Sequence, residues 1–196
     1  MGYMVSEPTG SDPIPLGERL NVFALVMYVP GALGEFLDNL RRELVPGCNP
    51  HAHVSVLPPR SLAVDWQIAS DRARLLTETW PVFDVELAEI QIFPVTNVIY
   101  IELGAGASEL RRMHAAISTG PLVFPEPFPY HPHITLAQEL AHENVEAADE
   151  LARRRWREFR GERHFRAERV AFVQNTTGNK WLDLAEYALG NSLMKS

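Results

Sequence analysis

Two short phrases in this 196-residue chain bring together residue types that move protons and hold phosphate: His51-Ala52-His53-Val54-Ser55-Val56-Leu57 and His131-Pro132-His133-Ile134-Thr135-Leu136-Ala137. In an extended strand alternate side chains share a face, so His51, His53 and Ser55 point one way and Val54 and Val56 the other. The second phrase repeats this arrangement with His131, His133 and Thr135. Imidazole titrates near neutral pH, so one histidine can take a proton from an attacking group while its counterpart gives one to a leaving oxygen. Two such groups facing each other suit an in-line displacement at phosphorus, where the attacking and leaving oxygens lie on opposite sides. The Ser55 and Thr135 hydroxyls would donate hydrogen bonds to the non-bridging oxygens as negative charge develops there.

Other chemistry competes for the same residues. His-x-His presents two imidazoles on one face and could bind a metal, which makes a His-ligated metal hydrolase an alternative. Neither phrase carries an adjacent Asp, Glu or Cys, which hydrolytic metal centres usually mix with histidine. Half-buried strand histidines with satisfied hydrogen bonds would account for one phrase, but a matched pair preserves the polar face together with the spacing. No G-x-S-x-G elbow and no Walker-type phosphate loop is present, which argues against a serine nucleophile and against ATP-driven joining.

The elements that must position these phrases follow from periodicity. Residues 21–28 form an apolar run ended by Pro30 and Gly31 and read as a buried strand, and 32–44 carry Leu33, Phe36, Leu37, Leu40 and Leu44 at helical spacing. The first histidine phrase forms a strand that Pro58-Pro59 is expected to end, because proline cannot continue a ladder. A helix over 64–80, strands over 82–93 and 98–103, and a helix over 107–118 lead to a proline-rich loop, from which the second phrase emerges. A helix over 142–158 and strands over 165–174 and 180–187 complete the chain. Each half reads as strand, helix, histidine strand, helix, strand. The expected fold is α+β: a bilobal, pseudo-two-fold duplication with two mainly antiparallel sheets and outer helices around a central cleft.

Composition sets outer bounds. The apolar fraction of 46% and charged fraction of 22% are those of a packed globular protein. A net charge of −7 argues against broad adhesion to long nucleic acid, while leaving small phosphorylated molecules or RNA ends open. Cys48 stands alone, so neither a disulfide framework nor a cysteine zinc cage is available within the chain, and no run is apolar for long enough to span a bilayer. A cytoplasmic location is expected. Residues 1–18 read as a flexible leader, 19–187 as one bilobal domain and 188–196 as a tail. The arginine run around Arg153–Arg157 reads as a solvated helix face, and Phe93, Phe128 and Tyr130 as packing aromatics that could also stack on a base.

His53-x-Ser55 and His133-x-Thr135 resemble the paired H-x-[ST] signatures of the 2H phosphoesterase superfamily, which includes proteins called 2′-5′ RNA ligases and cyclic nucleotide phosphodiesterases. Pro132-His133-Ile134-Thr135-Leu136-Ala137, preceded by Tyr130, is the closer match. The layout of residues 20–187 fits, although only the two phrases are specific. The resemblance implies His53 and His133 as the catalytic pair, Ser55 and Thr135 as phosphate ligands, and no required metal or other cofactor. It also implies opening of 2′,3′-cyclic phosphates toward a 2′-phosphate, or cleavage of 2′-5′ linkages, on a nucleotide or RNA end, with no membrane or protein partner. His51, His131, Tyr130 and Arg60 remain auxiliary or substrate-contact candidates, Arg60 most simply as a surface arginine. The competing class is an RNA-end or nucleotide-binding module without turnover, which loss of either His53 or His133 would have favoured.

Overall fold

The computed structural model describes residues 17–190, so most of the expected leader and tail lies outside the described residues. Along the chain come β1 (Arg19–Tyr28), α1 (Gly31–Leu44), β2 (His53–Arg60), α2 (Trp66–Thr77), β3 (Phe83–Ile92) and β4 (Ile99–Leu103). They are followed by α3 (Ala107–Ile117), β5 (His133–Ala137), α4 (Val145–Glu158), β6 (His164–Ala167), β7 (Arg169–Thr176) and β8 (Trp181–Ala188). The strands form two four-stranded sheets, ordered β2-β1-β7-β8 and β5-β4-β3-β6, and every pairing is antiparallel. The α+β, duplicated architecture expected from the sequence is the one observed. A strand-helix-strand unit, β1-α1-β2 or β4-α3-β5, places a histidine strand at the edge of each sheet.

Side-chain alternation explains how the sheets pack. Phe23, Leu25 and Met27 of β1 enter the main core with the α1 stripe Leu33, Leu37, Leu40 and Leu44, while Ala24 and Val26 pack with Ala171 and Val173 on the opposite face. Val54 and Val56, and likewise Ile134 and Leu136, are almost wholly buried, which turns the alternate residues of both phrases to the other side. Trp156 of α4 is buried, donates its indole N–H to the Ala88 carbonyl at 2.9 Å, and carries the Arg163 guanidinium 4.3 Å above its ring. Gly34 is a packing requirement of α1, because a Cβ there would run into the Val29 carbonyl.

Three expectations are corrected. β2 continues through Pro58-Pro59 to Arg60, since it is an edge strand whose outer side needs no ladder donors, and its register with β1 shifts between the Phe23–Arg60 and Leu25–Leu57 pairs. The run 165–174 is two strands, β6 on β3 and β7 on β1, divided at Glu168. That crossing returns the chain to the first sheet, so the lobes are not two consecutive halves of the sequence. The third concerns Arg60, which is buried rather than at the surface and forms part of the packing described below.

Candidate active site

The edge strands β2 and β5 lie beside one another where the two sheets meet, which brings the two phrases together. Within each phrase the second histidine is held in the same way. His53 Nδ1 lies 2.6 Å from the His51 carbonyl and His133 Nδ1 lies 2.7 Å from the His131 carbonyl. A carbonyl only accepts, so Nδ1 carries the proton in both rings and Nε2 of the neutral imidazole is left as the working atom. The matched hydrogen bonds give the chain two imidazoles of fixed tautomer from two lobes. Ser55 and Thr135 follow on the same faces, both half-buried.

The rings are partly removed from water, and this moves their proton affinity. Burial is the main cause drawing His53 down to about 4, against the hydrogen bond to the His51 carbonyl and reinforced by the Arg41 charge and by the neighbouring His51 and His133 rings. Burial also lowers His133, with His131 acting in the same direction and the Glu102 carboxylate opposing it.

The flanking histidines are placed differently in the two lobes. His51 is exposed and stacks on Tyr28 with ring centroids 3.5 Å apart, and the Tyr28 hydroxyl donates to Asp183 at 2.5 Å. His131 is half-buried with Nε2 2.8 Å from Glu102 Oε2. Phe93 stacks on Tyr100 at 4.0 Å, and the edges of this pair meet His133 at 5.0 Å and 5.2 Å, so Phe93 packs the site and holds the ring upright. Phe128 is exposed, at 56% of its full surface.

Tyr130 and Arg60 belong to a network that joins the proline-rich loop to β2. The Tyr130 hydroxyl donates to the Ser55 carbonyl at 2.8 Å, and its ring stacks on His114, whose Nδ1 lies 2.9 Å from the Val56 carbonyl. Arg60 donates to the carbonyls of Pro58 and Leu122 and pairs with Glu126 at 2.6 Å, which engages its guanidinium within the protein. In the arginine run on α4, Arg153 pairs with Asp149 and Arg155 with Glu43 and Glu158, while Arg154, Arg155 and Arg157 are exposed. Among the described residues no three His, Cys, Asp or Glu side chains converge in a metal-holding group. A cavity of about 430 Å³ opens on Tyr28 and His51, with Asp38, Arg169 and Glu186 in its wall and neither His53 nor His133 among its lining residues.

Tyr28, Glu102, Tyr100 and Asp183 were not singled out in the sequence. For Glu102 the signal was present, because alternation along β4 places Tyr100 and Glu102 on one face between the buried residues Ile99, Ile101 and Leu103.

Two antiparallel sheets, each with a fixed histidine on an edge strand and the two edge strands side by side, define a two-histidine phosphoesterase fold. Residues 29–179 match the model of the 2′-5′ RNA ligase superfamily, and the chain therefore belongs to that family of 2H phosphoesterases. A curated relative from Oceanobacillus iheyensis, named "Putative phosphoesterase OB1230", is 27% identical over 146 residues, covering 69% of this chain and 82% of the relative. Apo LigT of E. coli superposes with a TM-score of 0.61 at 14% identity, over 88% of this chain and 97% of LigT. Usb1 of Kluyveromyces marxianus does so with a TM-score of 0.55 at 13% identity, over 87% and 99% of the two chains. LigT has also been solved with 3′-AMP and with phosphate.

Proposed function

We propose that this phosphoesterase opens 2′,3′-cyclic phosphates, or cleaves 2′-5′ linkages, of nucleotides or RNA ends by paired-histidine acid and base catalysis that uses no metal. The matched Nδ1–carbonyl hydrogen bonds of His53 and His133 carry this reading, because they leave two Nε2 atoms from opposite lobes for one phosphate. On a cyclic phosphate, one imidazole takes a proton from water as its oxygen forms the new bond to phosphorus. The ribose oxygen on the far side departs and receives a proton from the other imidazole. Loss of the 3′ oxygen gives the 2′-phosphate. The Ser55 and Thr135 hydroxyls donate to the non-bridging oxygens, and the cavity at Tyr28 and His51 offers room for the remainder of a nucleotide.

Binding of 3′-AMP and of phosphate by LigT supports a nucleotide substrate. No helix among the described residues is long and apolar enough to cross a membrane, and a cytoplasmic place of action is part of the proposal. The test is turnover of nucleoside 2′,3′-cyclic phosphates with chelator present. Turnover in chelator, with either His53→Ala or His133→Ala reducing kcat by roughly 10²–10⁴-fold, is the expected result. Tight binding without turnover would favour the binding-module alternative, and loss of activity on chelation would favour a metal hydrolase.

A further inference from the structure

The two histidine phrases are nearly identical, yet the strands beside them are not. In β1 the residue opposite His53 is Tyr28, a neutral phenol that donates to Asp183. In β4 the residue opposite His133 is Glu102. Directly opposed residues of an antiparallel pair share a face, so the Glu102 carboxylate stands beside the His133 ring. It also reaches His131 Nε2 at 2.8 Å, and His131 in turn offers its carbonyl to His133 Nδ1. A carboxylate, a flanking imidazole and a backbone carbonyl thus surround His133 from two strands. His53 has the matching carbonyl and flanking imidazole from His51, but its strand partner is the Tyr28 phenol in place of a carboxylate, and its other neighbours are the His133 ring and the positive charge of Arg41 from α1.

We propose that Glu102 makes the two matched histidines unequal, stabilising the protonated form of His133 so that it donates the proton to the leaving oxygen while His53 accepts the proton of the attacking water. This deepens the phosphoesterase reading and rests on it. Glu102 is a positioning residue: it acts on the reaction through His133 and His131.

Most of the charged or titratable groups facing the pair act in the required direction, and His131 acts against it at His133. Around His133, Glu102 favours the charged ring, His131 opposes it, and Tyr100 is held in its neutral phenol form by burial and by Glu102 itself. Around His53, Arg41, His51 and His133 all disfavour the charged ring, and Tyr28 is likewise held neutral by burial and Asp183. Arg41 Nε is buried without a hydrogen-bond partner, and Asp38 of α1 is the carboxylate whose charge acts on this guanidinium. A pair with its base below its acid is in the reactive form, neutral His53 with protonated His133, as its main species between the two titrations.

Two measurements test this, one of which needs no substrate. Histidine Cε1–H NMR titrations of the full chain, assigned with single His→Gln variants, are expected to show His133 titrating above His53. Glu102→Gln is expected to lower His133 by about one pH unit or more and to leave His53 in place. The matching pH–rate profile with a 2′,3′-cyclic phosphate is expected to show the alkaline limb moving down in Glu102→Gln with the acid limb fixed. Equal titration of both histidines, or movement of the acid limb instead, overturns the assignment. Absence of turnover with the titration difference intact would contradict the phosphoesterase reading, leaving the hold of Glu102 on His133 standing.

Discussion

Ser55 and Thr135 differ by one methyl group and occupy matched places, opposite Val26 in the first sheet and opposite Tyr100 in the second. Each lies two residues beyond a histidine whose Nδ1 is fixed, so each hydroxyl is presented from the same face as the neighbouring Nε2. If the hydroxyl alone matters, Thr135→Ser retains most activity, because Ser55 occupies the equivalent position in the other lobe. Thr135→Val keeps the shape of threonine and removes the donor, and is expected to reduce kcat roughly 10²-fold with little change in melting temperature. Equal kinetics for the serine and valine variants would remove these hydroxyls from the phosphate site. Fixation of the histidines has the same local character, since a carbonyl two residues back along the chain serves as partner in both phrases.

Among the elements, the long linker into β5 is the one whose placement depends most on a few side chains. Arg60 of β2 binds it through the Leu122 carbonyl and Glu126, and Tyr130, stacked on His114 of α3, binds the Ser55 carbonyl, which together set where the second phrase begins. The Arg60 side chain is 1% exposed and that of Glu126 15%, so this is a buried ion pair, in which removal of one partner strands the other. Arg60→Ala is expected to lower the unfolding free energy by about 3–5 kcal/mol in urea denaturation, and Arg60→Leu with Glu126→Leu to recover much of that loss. A cost below about 1 kcal/mol would instead describe an ordinary surface pair. Arg60 also marks where the sequence ceased to be legible. Two prolines before an arginine look like a strand end and an exposed cation, but the edge position of β2 tolerates the prolines, and the acid that accompanies Arg60 lies far along the chain at Glu126. Local patterns located most elements: the 31–44 helix, the histidine strands and the 145–158 helix were readable from apolar spacing. The division of 165–174 at Glu168 was not, because β6 and β7 are separated by that single residue and the break shows only in which sheet receives each strand.

For the molecule as a whole, the duplication is visible twice: in the sequence as two phrases and in the fold as two sheets with a histidine strand at one edge of each. The strands that carry the candidate residues were legible, since β2 and β5 lie beside one another and hold His53 and His133 by matched hydrogen bonds. The asymmetry was not, because Tyr28 and Glu102 become partners of the phrases only through β-sheet register. The chain is acidic, with a net charge of −7, so the proposed mechanism depends on two proton-transfer groups acting as a unit on a single phosphate and not on a broad basic surface. The most direct measurement is a double-mutant cycle on kcat for a 2′,3′-cyclic phosphate, using His53→Ala, His133→Ala and both together. Groups that act as a unit in one displacement are not additive. The account predicts that each single variant loses roughly 10²–10⁴-fold and that the double variant loses no more than about a further tenfold. A double variant whose loss equals the product of the two single losses, or either single variant retaining near-normal turnover, would contradict a shared clamp on one phosphate.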